Sequence, residues 1–274
     1  MIKSPVTYQG AKSRLASDIA DVIVSSVGAV PQTFYEICCG SGAVSLTMVE
    51  RGVAPEAITM VDCGPWGIFW REVGQGTFDC DSFAEWCARI PKDKDEVKTF
   101  MEDLAGKPAP KDAEAYVFLI LQAGSFGSKA VGLSGHKWMS HGFRSYWMPT
   151  ETSSRRYPVN PMMPMADEIM RRVKVIAQRM RGVTGIYAPG DTVCPPPNAA
   201  VYIDPPYEGT TGYANGTPSL DSVGYAERCP APCYISERRP LSKTYWQLSG
   251  HRAKGGISGN RRKKAAQPEY LSLI

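Results

Sequence analysis

The run Val201-Tyr202-Ile203-Asp204-Pro205-Pro206-Tyr207 joins a short apolar segment to a carboxylate, two prolines and an aromatic ring. The first three residues predict a buried strand. Proline offers no ladder N–H, so the strand must stop at Asp204 and leave a rigid platform at its carboxyl end. Open α/β sheets place their ligands at such ends. The Asp204 carboxylate and the Pro205 carbonyl are two hydrogen-bond acceptors, and Tyr207 offers a flat face. That set suits a planar amine, such as the exocyclic amino group of a nucleobase. This nitrogen is a weak nucleophile because its lone pair is delocalised into the ring. Two acceptors holding both N–H groups favour a tetrahedral nitrogen and stabilise the positive charge that develops on alkylation. The same residues also read as a strand closed by a Pro-Pro turn, so the rest of the chain must decide.

A ligand loop lies upstream. Thr33 to Ile37 predicts a strand, Gly40-Ser41-Gly42 a loop, and Ala43 to Val49 a helix. Glycines there let backbone approach a ligand where a Cβ would clash. A second strand, Ala57 to Val61, ends at Asp62, about twenty residues past the loop, where doubly wound nucleotide sites carry a ribose-binding acid. The third glycine of the dinucleotide fingerprint is missing and nothing cradles a pyrophosphate. An adenosyl ligand without phosphates fits better than a dinucleotide. Before this unit, Tyr8-Gln9-Gly10-Ala11-Lys12 forms a tight turn. It feeds a helix over 12–26 that carries Leu15, Ile19, Val22 and Ile23 on one face.

At 274 residues, 43% hydrophobic and 21% charged, the chain can bury a full core as one large domain, or as one domain with an insertion. No apolar run reaches membrane-spanning length and the first residues are no secretory signal, so a cytoplasmic, membrane-free protein is expected. Eight cysteines without a repeated Cys-x-x-Cys, and only three histidines, argue for reduced thiols and against a structural zinc site. The net charge of +4 is clustered at Arg155-Arg156, Arg171-Arg172, Arg179/Arg181, Arg238-Arg239 and the run from His251 to Lys264. Clustered basic residues suit a polyanion, although each cluster alone also reads as solvated surface.

From about residue 80 the texture changes. Ala113 to Gln122 predicts a helix. An aromatic and glycine-rich stretch then runs from Gly124 through Lys129, Trp138, His141, Phe143-Arg144, Tyr146 and Trp147 to Arg155-Arg156. Rings interleaved with arginines can stack bases and grip phosphates, and can equally form a satellite core under long loops. Met165, Ile169, Val173, Ile176 and Met180 mark one face of a helix expected to pack on the sheet. Thr184 to Tyr187, Cys233 to Ser236 and Tyr270 to Ile274 predict further strands. The segment after residue 216 has little helix signal.

In its motifs and their order the chain resembles the Dam-like, alpha-group DNA adenine-N6 methyltransferases of bacteria and phages. The resemblance rests on Asp204-Pro205-Pro206-Tyr207, the Glu36–Gly42 loop, Asp62 and the Tyr8–Lys12 turn. It implies a Rossmann-like methyltransferase fold, mostly parallel with one antiparallel strand at Glu269-Tyr270-Leu271. Residues 1–80 and 183–274 would form the S-adenosylmethionine-binding catalytic domain, and 81–182 a target-recognition insertion of helix and loop. Tyr8, Gly10 and Lys12 would contact the cofactor. Glu36, where the family more often has Asp, would face its methionine amino group. Cys38, Gly40 and Gly42 would line the loop, Asp62 would bind the ribose, and Asp191 would lie near the adenine. Asp204, Pro205, Pro206 and Tyr207 would be the catalytic clamp, Asp204 also bordering the cofactor and Tyr207 stacking on a flipped-out adenine. Lys129, Arg144, Arg155, Arg156, Arg261, Arg262, Lys263 and Lys264 are the expected contacts to double-stranded DNA. A monomer or weak dimer is expected. Cytosine N4, an RNA adenine or a glutamine amide are alternative amines, and a catalytically silent nucleic-acid-binding module is the alternative of another class.

Overall fold

The computed structural model describes residues 2–207, 220–248 and 268–274. Seven strands form one sheet: β1 (Phe34–Ile37), β2 (Ile58–Asp62), β5 (Thr184–Tyr187), β6 (Ala200–Ile203), β7 (Cys233–Glu237), β8 (Tyr245–Leu248) and β9 (Glu269–Leu273). Their order is β5-β2-β1-β6-β7-β9-β8. Neighbours from β5 to β7 pair in parallel, and β9 runs antiparallel to both β7 and β8. The result is an α/β fold with a mostly parallel sheet, compatible with a Rossmann-like architecture.

Alternation along the strands sorts the core onto two faces. Phe34, Met60, Tyr202, Tyr234 and Leu271 point to the larger cluster. Ile37, Val61, Val201, Ile203 and Ile235 point to the smaller one. The larger face is covered by α1 (Ala16–Val27), α2 (Ala43–Glu50) and α3 (Pro65–Gln75). The smaller face is covered by α8 (Ser222–Arg228), which contributes Tyr225 and Ala226. Chain order reverses between β1 and β6, and ligands bind doubly wound sheets at such a reversal.

Helix α3 lies unusually close to β5. A Cβ on Gly185 would sit 2.1 Å from the Arg71 nitrogen, and one on Gly74 would sit 1.8 Å from the Val183 carbonyl oxygen. Backbone meets backbone there, so no side chain can give way. Gly185→Ala is therefore expected to cost roughly 3 kcal/mol, through forced separation of α3 from the strand. Urea unfolding of the variant measures this.

The segment expected as an insertion holds α4 (Cys80–Ala88), α5 (Val97–Ala105), α6 (Glu114–Gly124), the hairpin β3 (Gly132–Ser134)–β4 (Lys137–Met139), and α7 (Ala166–Arg179). Helix α6 is apolar on every side and buries all of its residues from Ala115 to Gly124, as expected of a helix inside a core. Its neighbours share the larger cluster with the sheet.

The structure differs from or adds to the expectations at several elements. Helix α7 packs on α4 and α3 rather than on the sheet, and Met165 caps it as an exposed residue instead of joining its apolar face. Arg171 and Arg172 both pair with Glu168, and Arg172 also donates to the Ser4 carbonyl, so this cluster braces the fold. Helix α8 forms despite its weak signal, because Asp221 accepts the Gly224 N–H at its start. Strand β8 and the β3–β4 hairpin were not foreseen, being short and adjoined by loops. Among the described residues, no helix is long and apolar enough to cross a membrane. All eight cysteines are free.

Candidate active site

Three strand ends converge. Tyr8, Gly10, Ala11, Lys12, Glu36, Cys38, Cys39, Gly40, Ser41, Ala43, Asp62, Cys63, Asp204 and Pro206 line one cavity that opens to solvent. The N-terminal turn, the glycine loop after β1, the acid that ends β2 and the platform after β6 thus share a single space at the reversal point of the sheet.

The loop after β1 is held from several directions. Cys38 takes a left-handed backbone conformation, as do Gly40 and Gly42. Asp62 accepts the Gly40 N–H at 2.9 Å on one oxygen and the Gly64 N–H at 2.7 Å on the other. It therefore ties the loop to the start of α3. The Trp70 indole N–H donates to the Gly40 carbonyl at 2.9 Å. Both glycines are crowded by protein neighbours. A Cβ on Gly40 would meet the Tyr8 ring at 2.8 Å, and one on Gly42 would meet Met60 and Trp70 at 2.5 Å. Gly42 does not line the cavity and packs on Met60 and Trp70. Asp191 also lies outside this lining. It is exposed on a turn after β5.

Glu36 is buried on β1 and accepts the Ser45 N–H at 2.8 Å. That places its carboxyl at the N-terminus of α2, where a negative charge is favoured. Burial dominates nonetheless and pushes Glu36 up to about 7, against the hydrogen bonds from Ser45. Asp62 is raised by burial too, while the Gly40 and Gly64 N–H groups oppose the shift. Ser41 lines the same cavity with a buried hydroxyl that has no partner. Burial, and then Asp62, push the Cys38 and Cys39 thiols far up, so neither is a nucleophile at neutral pH.

At the platform, the Lys12 ammonium lies 2.6 Å from Asp204 Oδ1, 3.6 Å from Glu269 Oε1 and 3.4 Å from the Gly10 carbonyl. Burial works to lower the pKa of Lys12, but Asp204 and Glu269 together raise it above the ordinary lysine value. Asp204 is pushed up to about 6. Burial raises it most, Lys12 opposes, and Glu269 and Glu237 add to the rise. The Tyr207 hydroxyl donates to Glu269. The Lys12 ammonium lies 4.7 Å from the centre of the Tyr207 ring and the Arg238 guanidinium 5.6 Å from it. Tyr207 is thus not the free aromatic face that the sequence suggested.

Lys12, placed on the cofactor by the resemblance, is the partner of Asp204. Glu269 had been read only as part of the closing strand, and Arg238 only as one of a surface pair. No local signal marks either, because both reach the site through the sheet.

The expected DNA contacts separate. Arg144 is 8% exposed, which corrects its reading as a surface cation. It donates to the Ser128 hydroxyl at 2.6 Å, and its Nε and Nη1 are buried without a partner. Trp138 and Phe143 are core residues as well. Lys129 is half-buried beside Ser128, whose carbonyl accepts the Gln9 N–H, so this stretch supports the N-terminal turn. Arg155 and Arg156 are exposed. Arg261, Arg262, Lys263 and Lys264 lie outside the described residues.

The chain matches no protein-family model and no curated relative.

Proposed function

We propose that the chain transfers a methyl group from S-adenosylmethionine to the N6 amine of an adenine flipped out of duplex DNA. One observation carries this reading: Asp204 and Pro206 of the platform line the same cavity as Glu36, Asp62 and the glycine loop. The antiparallel β9, set between β7 and β8, agrees with a methyltransferase form of the sheet.

The residues present suit the cofactor. Two carboxylates at separate positions match an ammonium and a ribose diol, and the orphaned Ser41 hydroxyl is a spare polar partner. Glu36 would hold the ammonium. Asp62, with lone pairs beyond those used by Gly40 and Gly64, would hold the diol. When bound, S-adenosylmethionine supplies an electrophilic methyl on a sulfonium and departs as a neutral thioether, while the amine loses one proton.

The protein's part is positioning and electrostatics. Asp204 and the Pro205 carbonyl accept the two amine N–H groups. Asp204, with a pKa near 6, is ionised at neutral pH and then receives the proton that methylation makes acidic. Stacking of the base on Tyr207 requires exchange of a cation now beside its ring. Exposed Arg155, Arg156, Arg238 and Arg239 are cations available to phosphates.

Calorimetry with S-adenosylmethionine tests the first half of this reading. Micromolar binding is expected, and absence of binding contradicts it. Mass analysis of nucleosides separates adenine N6 from cytosine N4.

A further inference from the structure

The Lys12–Asp204 pair poses a problem for the chemistry just proposed. The target amine draws on the charge of the Asp204 carboxylate, yet the Lys12 ammonium, 2.6 Å from Oδ1, already neutralises that charge. Pulling a buried lysine away from its carboxylate leaves both charges unpaired, which is costly unless a second anion is within reach. That anion is present. Glu269 Oε1 stands 3.6 Å from the same nitrogen, so a shift of about 1 Å completes a hydrogen bond. Glu269 is anchored where it is needed, because the Tyr207 hydroxyl donates to the same oxygen. The Tyr207 ring, 4.7 Å from the ammonium, presents a π face beside that short path. Both side chains are largely shielded from water, at 9% and 15% exposed, so solvent competes little for the lysine.

We propose that Glu269 is the second seat of the Lys12 ammonium: when the target amine arrives, Lys12 passes from Asp204 to Glu269 and frees Oδ1 to accept the amine. Glu269 is in these terms a positioning residue, acting on the reacting nitrogen through Lys12 and Asp204. The exchange gives Asp204 its full acceptor strength only when substrate is present. The charge that develops on the amine then replaces the ammonium as the partner of Asp204. Without substrate, Lys12 keeps the carboxylate compensated. Tyr207 reports the same event, since its hydroxyl and the incoming ammonium share Glu269.

This rests on the methyltransferase reading, and two experiments keep the two apart. The first is kinetic. Glu269→Gln keeps an acceptor for Tyr207 but removes the charge. Its kcat for methyl transfer to DNA is expected to fall about 30-fold, with the Kd for S-adenosylmethionine and the KM for DNA within about threefold of wild type. Glu269→Asp should recover most of the loss. A Glu269→Gln enzyme with wild-type kcat overturns the proposal, as does an equal loss in cofactor affinity, which marks a general structural role. The second needs no activity. In a crystal structure of Asp204→Asn, Lys12 Nζ is expected within about 3.2 Å of Glu269 Oε1. A lysine that stays on the residue 204 side chain overturns the proposal. Absence of transfer by the wild-type protein sinks the methyltransferase reading, while the crystal structure still decides the lysine shift.

Discussion

Asp204→Asn should lower the kcat for methyl transfer by about 10³-fold while leaving S-adenosylmethionine affinity within about threefold of wild type. The side chain keeps its shape but loses its charge, and half of it becomes a donor facing N–H groups that need acceptors. Lys12 also loses the carboxylate 2.6 Å away. The cofactor side of the cavity is built by Asp62 and the glycine loop, which hold each other, and by Glu36, which the Ser45 N–H holds. Single-turnover transfer, read beside calorimetry, separates these effects. A variant that keeps full activity contradicts the assigned role of Asp204. One that loses cofactor binding in the same proportion makes Asp204 a cofactor ligand first.

Glu36→Gln should show the second largest effect, with opposite signs for binding and stability. Glu36 sits at about 7, above its ordinary 4.5, chiefly because it is buried. A carboxyl raised by folding stabilises the native state while protonated. That contribution is fully present below the unfolded value near 4.5 and is lost as pH rises through about 7. Asp204 acts in the same sense between 3.8 and about 6. These two groups therefore make the unliganded protein less stable at pH 8 than at pH 5. Glutamine at position 36 removes one of them. It should stabilise the unliganded chain at pH 8 by an amount on the order of 3 kcal/mol, and flatten the pH dependence between about 4.5 and 7. Urea unfolding at several pH values measures both. Binding moves the other way. The cofactor ammonium needs Glu36 ionised, so wild-type affinity should strengthen as pH rises through about 7, and Glu36→Gln should weaken it about 100-fold at pH 8. Affinity independent of both pH and the substitution would remove Glu36 from the site.

How far the chain discloses itself depends on the range of the interaction. The platform at Asp204 and the loop around Gly40 were legible because proline, glycine and a terminal acid act on their own neighbours. The cavity then gathered eight of the ten residues expected at the cofactor: Tyr8, Gly10, Lys12, Glu36, Cys38, Gly40, Asp62 and Asp204. Gly42 shows a limit of the sequence, because a glycine needed for packing looks the same there as one needed by a ligand. Met60 and Trp70, which crowd it, belong to β2 and α3, further along the chain. Lys12 was matched by position to the cofactor, but its carboxylate partner lies 192 residues away in the chain. Glu269 was invisible as a site residue for the same reason, since β9 reaches the platform only through the closing of the sheet. Arg144 was counted as surface because arginine usually is. Its burial follows from the fold of the 124–144 loop, where its own N–H donates to the Gly124 carbonyl. The aromatic stretch had been read as nucleic-acid contact or as satellite core. The structure puts Trp138 and Phe143 in the main core.

The most direct test of the whole account is to incubate the purified chain with unmethylated double-stranded DNA and S-adenosylmethionine carrying a labelled methyl group, then digest the DNA to nucleosides. The account predicts label in N6-methyladenine, lost in Asp204→Asn. Label in no nucleoside, or in N6-methyladenine at equal yield with Asp204→Asn, contradicts it.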